Sequence, residues 1–406
     1  MKMSKPFEIS KRQVWEAWKC VKSNRGSAGV DRQSIADFEG DLSANLYKLW
    51  NRMSSGCYFP PPVMGVDIPK SSGGTRRLGI PAVSDRVAQT VVKMKLEPKL
   101  EEVFLPDSYG YRPGKSAHDA VAVTRRRCWQ KDWVLEFDIK GLFDNLSWDL
   151  LMKALRHHTT CKWTLLYVER WLQAPMRLEN GELIGRSQGT PQGGVVSPLL
   201  AYLFMHYCFD RWVTTNHPSV EWCRYADDGL LHCRSKQEAE RLLVNLRERM
   251  DRCGLELHPS KTKIVYCRDS RRKAKEEVNQ FDFLGFGFRT RLAVSSKSGR
   301  KFQTFSPAMS RLALKNIVWT IKHKWKLQSK AHLSLAQIAK WINPIVRGLA
   351  EYYTKFGAAQ FRTVARYIND SLRESFPICA ENVPEHIHLS NAYPSIIPTF
   401  SFTGGS

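Results

Sequence analysis

The stretch Arg224-Tyr225-Ala226-Asp227-Asp228-Gly229 sets two adjacent carboxylates between two apolar runs, Val220 to Tyr225 and Leu230 to Cys233. Asp and Gly at such a junction read as the tip of a β-hairpin. Neighbouring carboxylates on a turn repel each other unless a cation lies between them. The stretch is therefore either one wall of a divalent metal site or a solvated Asp-Asp-Gly turn, and the remainder of the chain has to decide.

Sixty-two Lys plus Arg against 39 Asp plus Glu give a net charge of +23, spread through most of the 406 residues. Such a field favours a polyanion, most simply nucleic acid. A membrane is the competing partner, but no uninterrupted apolar run approaches the ~18 residues that a span requires. The length allows two or three domains, and 43% hydrophobic residues argue for a sizeable core. Met1 to Ser10 lacks the apolar centre of a signal peptide, and the ten cysteines form no CxxC pair. Both features read as an intracellular, cytoplasmic chain with reduced, mostly buried thiols.

From the amino end, Ile9 to Ser23 and then Ser34 toward Met53 carry helical patterns, separated by the polar, glycine-bearing loop Ser23 to Asp31. Val63 to Lys70 alternates as a strand, Ser71 to Gly74 is a turn, and Thr75 to Ile80 a return strand. Lys70 and Arg76 then sit near the tip of a hairpin, suited to clamping a triphosphate or simply solvated. Ser84 to Leu96 reads as a helix, and Asp107 to Gly114 as an aromatic, basic loop whose Tyr109 and Tyr111 either meet a nucleotide or fill the core.

Trp133 to Asp138 has strand character, with Asp138 at its carboxyl end and Ser147 capping a helix from Trp148. An acid that ends a buried strand is costly unless solvated, paired or metal-bound, so Asp138 is a candidate partner of Asp227. Phe143 stands where a ring could press on a nucleotide sugar or pack the strand onto the next helix. Glu136 and Asp144 are assigned to structure. Gly189 to Pro198 is a glycine-bearing loop before the buried helix Leu199 to Phe209, and its glycines let a ligand approach the backbone, with Gln192 the polar group on offer.

The order of these blocks carries a resemblance. Ile68-Pro69-Lys70 with Gly73 to Arg76, Tyr109 to Gly114, Phe137-Asp138-Ile139-Lys140, Gly189 to Pro198, Tyr225 to Asp228 and Phe283-Leu284-Gly285-Phe286 together resemble the reverse transcriptases encoded by group II introns. Ser23 to Asp31 is similar to the amino-terminal extension of that family, and Trp341 to Tyr353 to its maturase, or thumb, region. The resemblance implies an α+β, right-hand polymerase fold. Its expected parts are a helical extension over residues 1–62, fingers and palm over 63–290, an α-helical thumb/maturase domain over 291–375 and a weakly structured tail over 376–406.

It also implies an RNA-dependent DNA polymerase. Asp138, Asp227 and Asp228, with the Ile139 carbonyl, would hold two Mg²⁺, with Mn²⁺ able to substitute. Lys70 and Arg76 match the triphosphate clamp, Gln192 the nucleotide-pocket glutamine, Phe143 the gate against a 2′-hydroxyl, and Lys261 a basic position of the palm. The implied partners are an RNA template, a DNA primer, deoxynucleoside triphosphates and a structured intron RNA. The basic stretch after Phe288, with Ile317, Trp319, Trp325 and Leu327 interleaved, reads as helices with a buried and a cationic face. Past Arg373 the chain has no Lys or Arg, and neither a basic DNA-binding region nor an HNH endonuclease is visible. The expectation is a short, truncated or frame-shifted chain, with Gly404-Gly405-Ser406 an added scar. A non-enzymatic maturase and a polymerase recruited to host defence or repair are the alternative readings.

Overall fold

The computed structural model describes residues 5–69, 74–295, 297–330 and 332–375, so Lys70 and the tail lie outside the described residues. The chain is α+β. Its strands are β1 (Val63–Pro69), β2 (Thr75–Ile80), β3 (Trp133–Phe137), β4 (Met176–Arg177), β5 (Leu183–Ile184), β6 (Glu221–Tyr225), β7 (Asp228–Cys233), β8 (Lys263–Tyr266), β9 (Gln280–Phe283), β10 (Phe286–Val294) and β11 (Lys301–Met309). Over the described residues there are two compact units. One comprises residues 5–115, Phe137–Gly229 and Arg241–Thr262, the other Ser116–Glu136, Leu230–Glu240 and residues 263–375.

In the first unit, helix Lys11–Asn24 starts at a capping box between Ser10 and Gln13 and buries Val14, Ala17, Trp18 and Val21, one face at helical spacing. The pattern from Ser34 to Met53 is two helices rather than one, Ile35–Gly40 and Leu42–Ser54, because Asp41 between them leaves helical backbone at φ −126°, ψ 50°. Strand order is β2-β1-β4-β5, and β1 and β2 pair antiparallel with Ile68 opposite Arg76. Helix Val83–Glu101 packs against helix Lys11–Asn24, and its first half is buried on nearly every side, including its polar Asp85, Arg86 and Gln89.

The apolar run after Pro198 begins as helix Ser197–Met205, opens into a π turn at His206–Asp210 and resumes at Arg211–Asn216. The extra residue in the π turn shifts the helical phase, and His206, Cys208, Phe209 and Asp210 are all buried. Val196, not Ser197, takes the cap position, and Ser197 Oγ instead lies 2.8 Å from Thr190 Oγ1. The sulfurs of Cys208 and Cys253 are brought together across 45 positions. Sequence spacing gives no sign of it, because only the fold brings the two together.

The second unit contains the hairpin of β10 and β11, extended by β9, with Phe281 stacked on Phe288, Phe305 tilted against Phe281 and all three buried. Residues 301–309 are therefore strand, and helix resumes only at Arg311–Thr320. Helices Leu335–Tyr353 and Phe361–Ser375 follow, and Ile338, Ile342, Val346 and Ala350 meet Val364, Ile368 and Leu372 in one apolar cluster with Trp325. In the same unit β3 runs antiparallel to β8 with Leu135 opposite Ile264. Among the described residues no helix is long and apolar enough to cross a membrane.

Candidate active site

The hairpin expected around the paired acids is present: β6 ends at Tyr225, β7 begins at Asp228, and Ala226-Asp227 links them. Ala226 has φ 57°, a region that costs a residue bearing a Cβ about 1–3 kcal/mol, so its surroundings must hold it there. Arg224 does so from within the core. Its Nη1 donates to the Ala226 carbonyl at 2.9 Å, while Nε and Nη2 donate to the two Asp210 oxygens at 2.7 and 2.6 Å. Arg224 and Asp210 are fully buried, and the fork geometry lets one guanidinium satisfy a carboxylate and a turn carbonyl together. The Asp107 to Gly110 segment secures the other side. Tyr109 N–H donates to the Arg224 carbonyl at 2.9 Å and Arg224 N–H to that of Asp107 at 3.0 Å. Gly110 permits this approach, since a Cβ there would lie 2.5 Å from the Ala226 nitrogen.

Asp138 follows β3 directly. Its carbonyl accepts from His258 N–H at 2.8 Å, which also ties down the loop bearing Lys261, whose Nζ stands 3.1 Å from Asp138 Oδ2. Asp228 hydrogen-bonds to Asp138, and burial, then Asp227, then Asp138 push its carboxyl well above the usual carboxylate range. Asp227 is raised by burial and by Asp138, with a backbone hydrogen bond, Lys261 and Arg224 opposing. Three acids in one half-buried spot cannot all carry charge without a counter-ion. The cation beside them is the Lys261 ammonium. Among the described residues no three His, Cys, Asp or Glu side chains form a ready coordination cage. The donors are nonetheless all carboxylate oxygens on one turn and one strand end, with excess negative charge, which fits a hard divalent cation.

Beside the acids, Phe143 occupies the single-turn helix Leu142–Asn145, with its ring 6.5 Å from that of Tyr111 and edge-on at 79°. Tyr111 is 53% exposed at φ 60°, whereas Tyr109 is buried. Burial and the charge of Asp227 push the Tyr111 hydroxyl upward, and Arg76 opposes them. The loop of Gln192 is stitched to Phe143: Thr190 N–H donates to the Phe143 carbonyl at 2.7 Å and Gly189 N–H to that of Leu146 at 2.8 Å. A Cβ on Gly189, at φ 77°, would lie 2.6 Å from the Asp144 carbonyl oxygen. Gly193 crosses Gly79 just as closely, and Gly79 N–H donates to the Gln192 carbonyl at 2.8 Å, which joins the end of β2 to the same loop.

Asp138, Asp227, Asp228 and Lys261 thus form one charged cluster, while Phe143 and Gln192 share a backbone-bonded wall and Arg76 is exposed on β2. Ile139 is buried and bridges antiparallel to Leu257. Of the two acids assigned to structure, Glu136 pairs with Lys263 at 3.2 Å, and Asp144 accepts from Gln192 Nε2 at 3.4 Å. Sequence reasoning left Tyr111 undecided and passed over Arg224 and Asp210. The available signal was a guanidinium inside an apolar strand, which demands a buried acid from elsewhere in the chain.

The model for reverse transcriptase (RNA-dependent DNA polymerase) matches residues 68–288, and that for the group II intron maturase-specific domain matches residues 314–376. The protein YkfC of Escherichia coli strain K12 is 32% identical over 63% of this chain and 77% of its own. The group II intron-encoded protein LtrA of Lactococcus lactis subsp. cremoris is 33% identical over 47% of this chain, which spans 32% of that relative's length. Among solved structures, a telomerase from Candida albicans with a fragment of telomeric RNA aligns over 84% of this chain and 64% of its own, at 14% identity and a TM-score of 0.46. The chain belongs to the reverse transcriptase (RNA-dependent DNA polymerase) family, with a group II intron maturase-specific domain behind the polymerase region.

Proposed function

We propose that this chain copies an RNA template into DNA by extending a DNA primer with deoxynucleoside triphosphates, and that it also grips a structured group II intron RNA. The observation that carries the reading is the convergence of Asp138 with Asp227 and Asp228, three acids short of countercharge. Divalent cations held there, Mg²⁺ in the cell with Mn²⁺ able to substitute, would supply positive charge beside the primer hydroxyl and the triphosphate. The work of the chain's own residues is positioning. Asp138, Asp227 and Asp228 would hold the ions, with the Ile139 carbonyl as a further oxygen donor. Lys261, freed from Asp138 when a cation takes its place, would meet phosphate.

Arg76 on β2, together with Lys70, would grip the triphosphate. Gln192 and Phe143 would line the sugar and base, Phe143 excluding a 2′-hydroxyl. Residues 63–290 would serve as fingers and palm, 1–62 as the amino-terminal extension and 291–375 as thumb. The last of these overlaps the maturase-specific match and is rich in cations for RNA phosphates. Such a protein would work in the cytoplasm, where its RNA and nucleotides are. The test is extension of a DNA primer on an RNA template with Mg²⁺ and the four deoxynucleotides. Full-length product supports the reading; no extension together with tight binding of intron RNA leaves a maturase alone.

A further inference from the structure

Helix Val83–Glu101 carries a polar line through the core that the nucleotide-binding residues do not account for. Asp85 is 1% exposed, and among the described residues no cation stands against it. Its Oδ1 accepts from Tyr58 Oη at 2.7 Å and from Trp171 Nε1 at 2.7 Å, and its Oδ2 accepts from Gln89 Nε2 at 2.9 Å. The other end of the Gln89 amide, Oε1, accepts from the backbone N–H of Val196 at 3.2 Å. Gln89 is itself 2% exposed, and a Cβ on Gly194 would lie 3.2 Å from its Oε1, so the loop passes close over the amide.

The amide can point only one way. A carboxylate accepts and a backbone N–H donates, which turns the Gln89 NH₂ toward Asp85 and its C=O toward Val196. Val196 closes the loop that begins at Gly189 and carries Gln192, and this loop is otherwise fastened at its far end to Phe143 and in its middle to Gly79. A buried carboxylate is an expensive way to hold a loop that apolar packing could hold. What it adds is direction, because it fixes the height and register of one backbone amide.

We infer that Asp85 and Gln89 are positioning residues for the incoming nucleotide, setting the Gly189–Val196 loop so that Gln192 and Phe143 meet the sugar and base at the right distance. This rests on the nucleotide-pocket reading of Gln192 above. In Asp85→Asn the new amide presents a donor to the Gln89 NH₂, so Gln89 must turn over and its NH₂ then opposes the Val196 N–H. In Gln89→Glu two carboxylates face each other. In the double variant Asp85→Asn/Gln89→Glu every donor meets an acceptor again. The new amide oxygen serves Tyr58 and Trp171, its NH₂ serves the new carboxylate, and the other oxygen of that carboxylate accepts from Val196.

Amide hydrogen exchange over Gly189–Val196 in the full chain reads the relay without any need for activity. Each single variant is expected to speed exchange there by about tenfold, the equilibrium equivalent of one buried hydrogen bond, and the double variant to restore wild-type protection. Primer extension then reads the consequence. KM for the deoxynucleotide rises by about tenfold in the singles and returns in the double, while affinity for primer–template stays within about twofold. Unchanged exchange in the singles, or a double variant no better than either single, overturns the relay. If the relay behaves as described but KM does not follow it in an active enzyme, the nucleotide-positioning role is overturned. Failure of the wild-type chain to extend a primer counts against the polymerase reading instead, and the exchange data still judge the relay.

Discussion

Arg224 closes its guanidinium fork on Asp210 at 2.7 and 2.6 Å, fully buried, and with its remaining nitrogen holds the carbonyl of Ala226. The acids at the hairpin tip therefore depend on a buried pair fourteen residues apart. Asp210→Ala leaves the guanidinium buried and unpaired and is expected to cost about 3–5 kcal/mol of stability. Arg224→Lys keeps the charge but loses the fork. Its midpoint in urea should fall between those of wild type and Asp210→Ala. A loss below about 1 kcal/mol in Asp210→Ala would mean that the pair is incidental.

Gly189 and Gly181 make a matched test of close approach. Both have positive φ, 77° and 88°, but only Gly189 faces backbone atoms, whereas nothing lies within 4 Å of a Cβ at Gly181. Gly181→Ala is expected to cost about 1 kcal/mol, and Gly189→Ala more than about 3 kcal/mol together with loss of primer extension. Equal effects would show that the crossing over Phe143 and Asp144 is not needed.

Much of this was legible in the sequence for physical reasons. The hairpin of β6 and β7 lies between apolar runs, the strand before Asp138 is short and apolar, and Ser-Pro at 197–198 starts a helix wherever it stands. Local patterns of this kind need no partner to be read. The π turn at His206–Asp210, the pairing of Asp210 with Arg224 and the meeting of Cys208 with Cys253 are products of tertiary contact, invisible to periodicity. The break at Asp41 escaped because apolar spacing runs on across it, and the strand at Lys301–Met309 escaped because its cations read like those of the helices that follow.

Two buried histidines set an acid limit. Burial holds His206 down to about 4, with Asp210 opposing and nearby Arg224 adding to the effect. Burial, with Arg127 and Lys131, holds His232 down to about 3. Both lie below the ordinary histidine value of about 6.5, so the unfolded chain takes up protons that the fold refuses. Stability is complete above about pH 6.5 and falls as pH drops, each histidine contributing a slope of up to about 1.4 kcal/mol per pH unit until its folded pKa is reached. Urea midpoints at pH 7 and 5.5 measure this, and His232→Leu should flatten the slope by about one proton. An unaltered slope in that variant would exclude His232 as a source.

Phe143→Ala is expected to admit ribonucleotides about 10–100-fold more readily, with the deoxynucleotide rate less affected. Single-turnover incorporation of matched ribo- and deoxynucleotides gives the ratio. Unchanged discrimination removes Phe143 from the gate and directs attention to Tyr111, whose ring stands 6.5 Å away.

The most direct measurement is single-nucleotide incorporation onto a DNA primer annealed to RNA, with Mg²⁺, by wild type and by Asp227→Asn, which keeps the shape and removes the charge. If Asp138, Asp227 and Asp228 form the catalytic centre, the rate in the variant falls by about a thousandfold or more while primer–template affinity stays within about threefold. An incorporation rate in Asp227→Asn within about tenfold of wild type would contradict it.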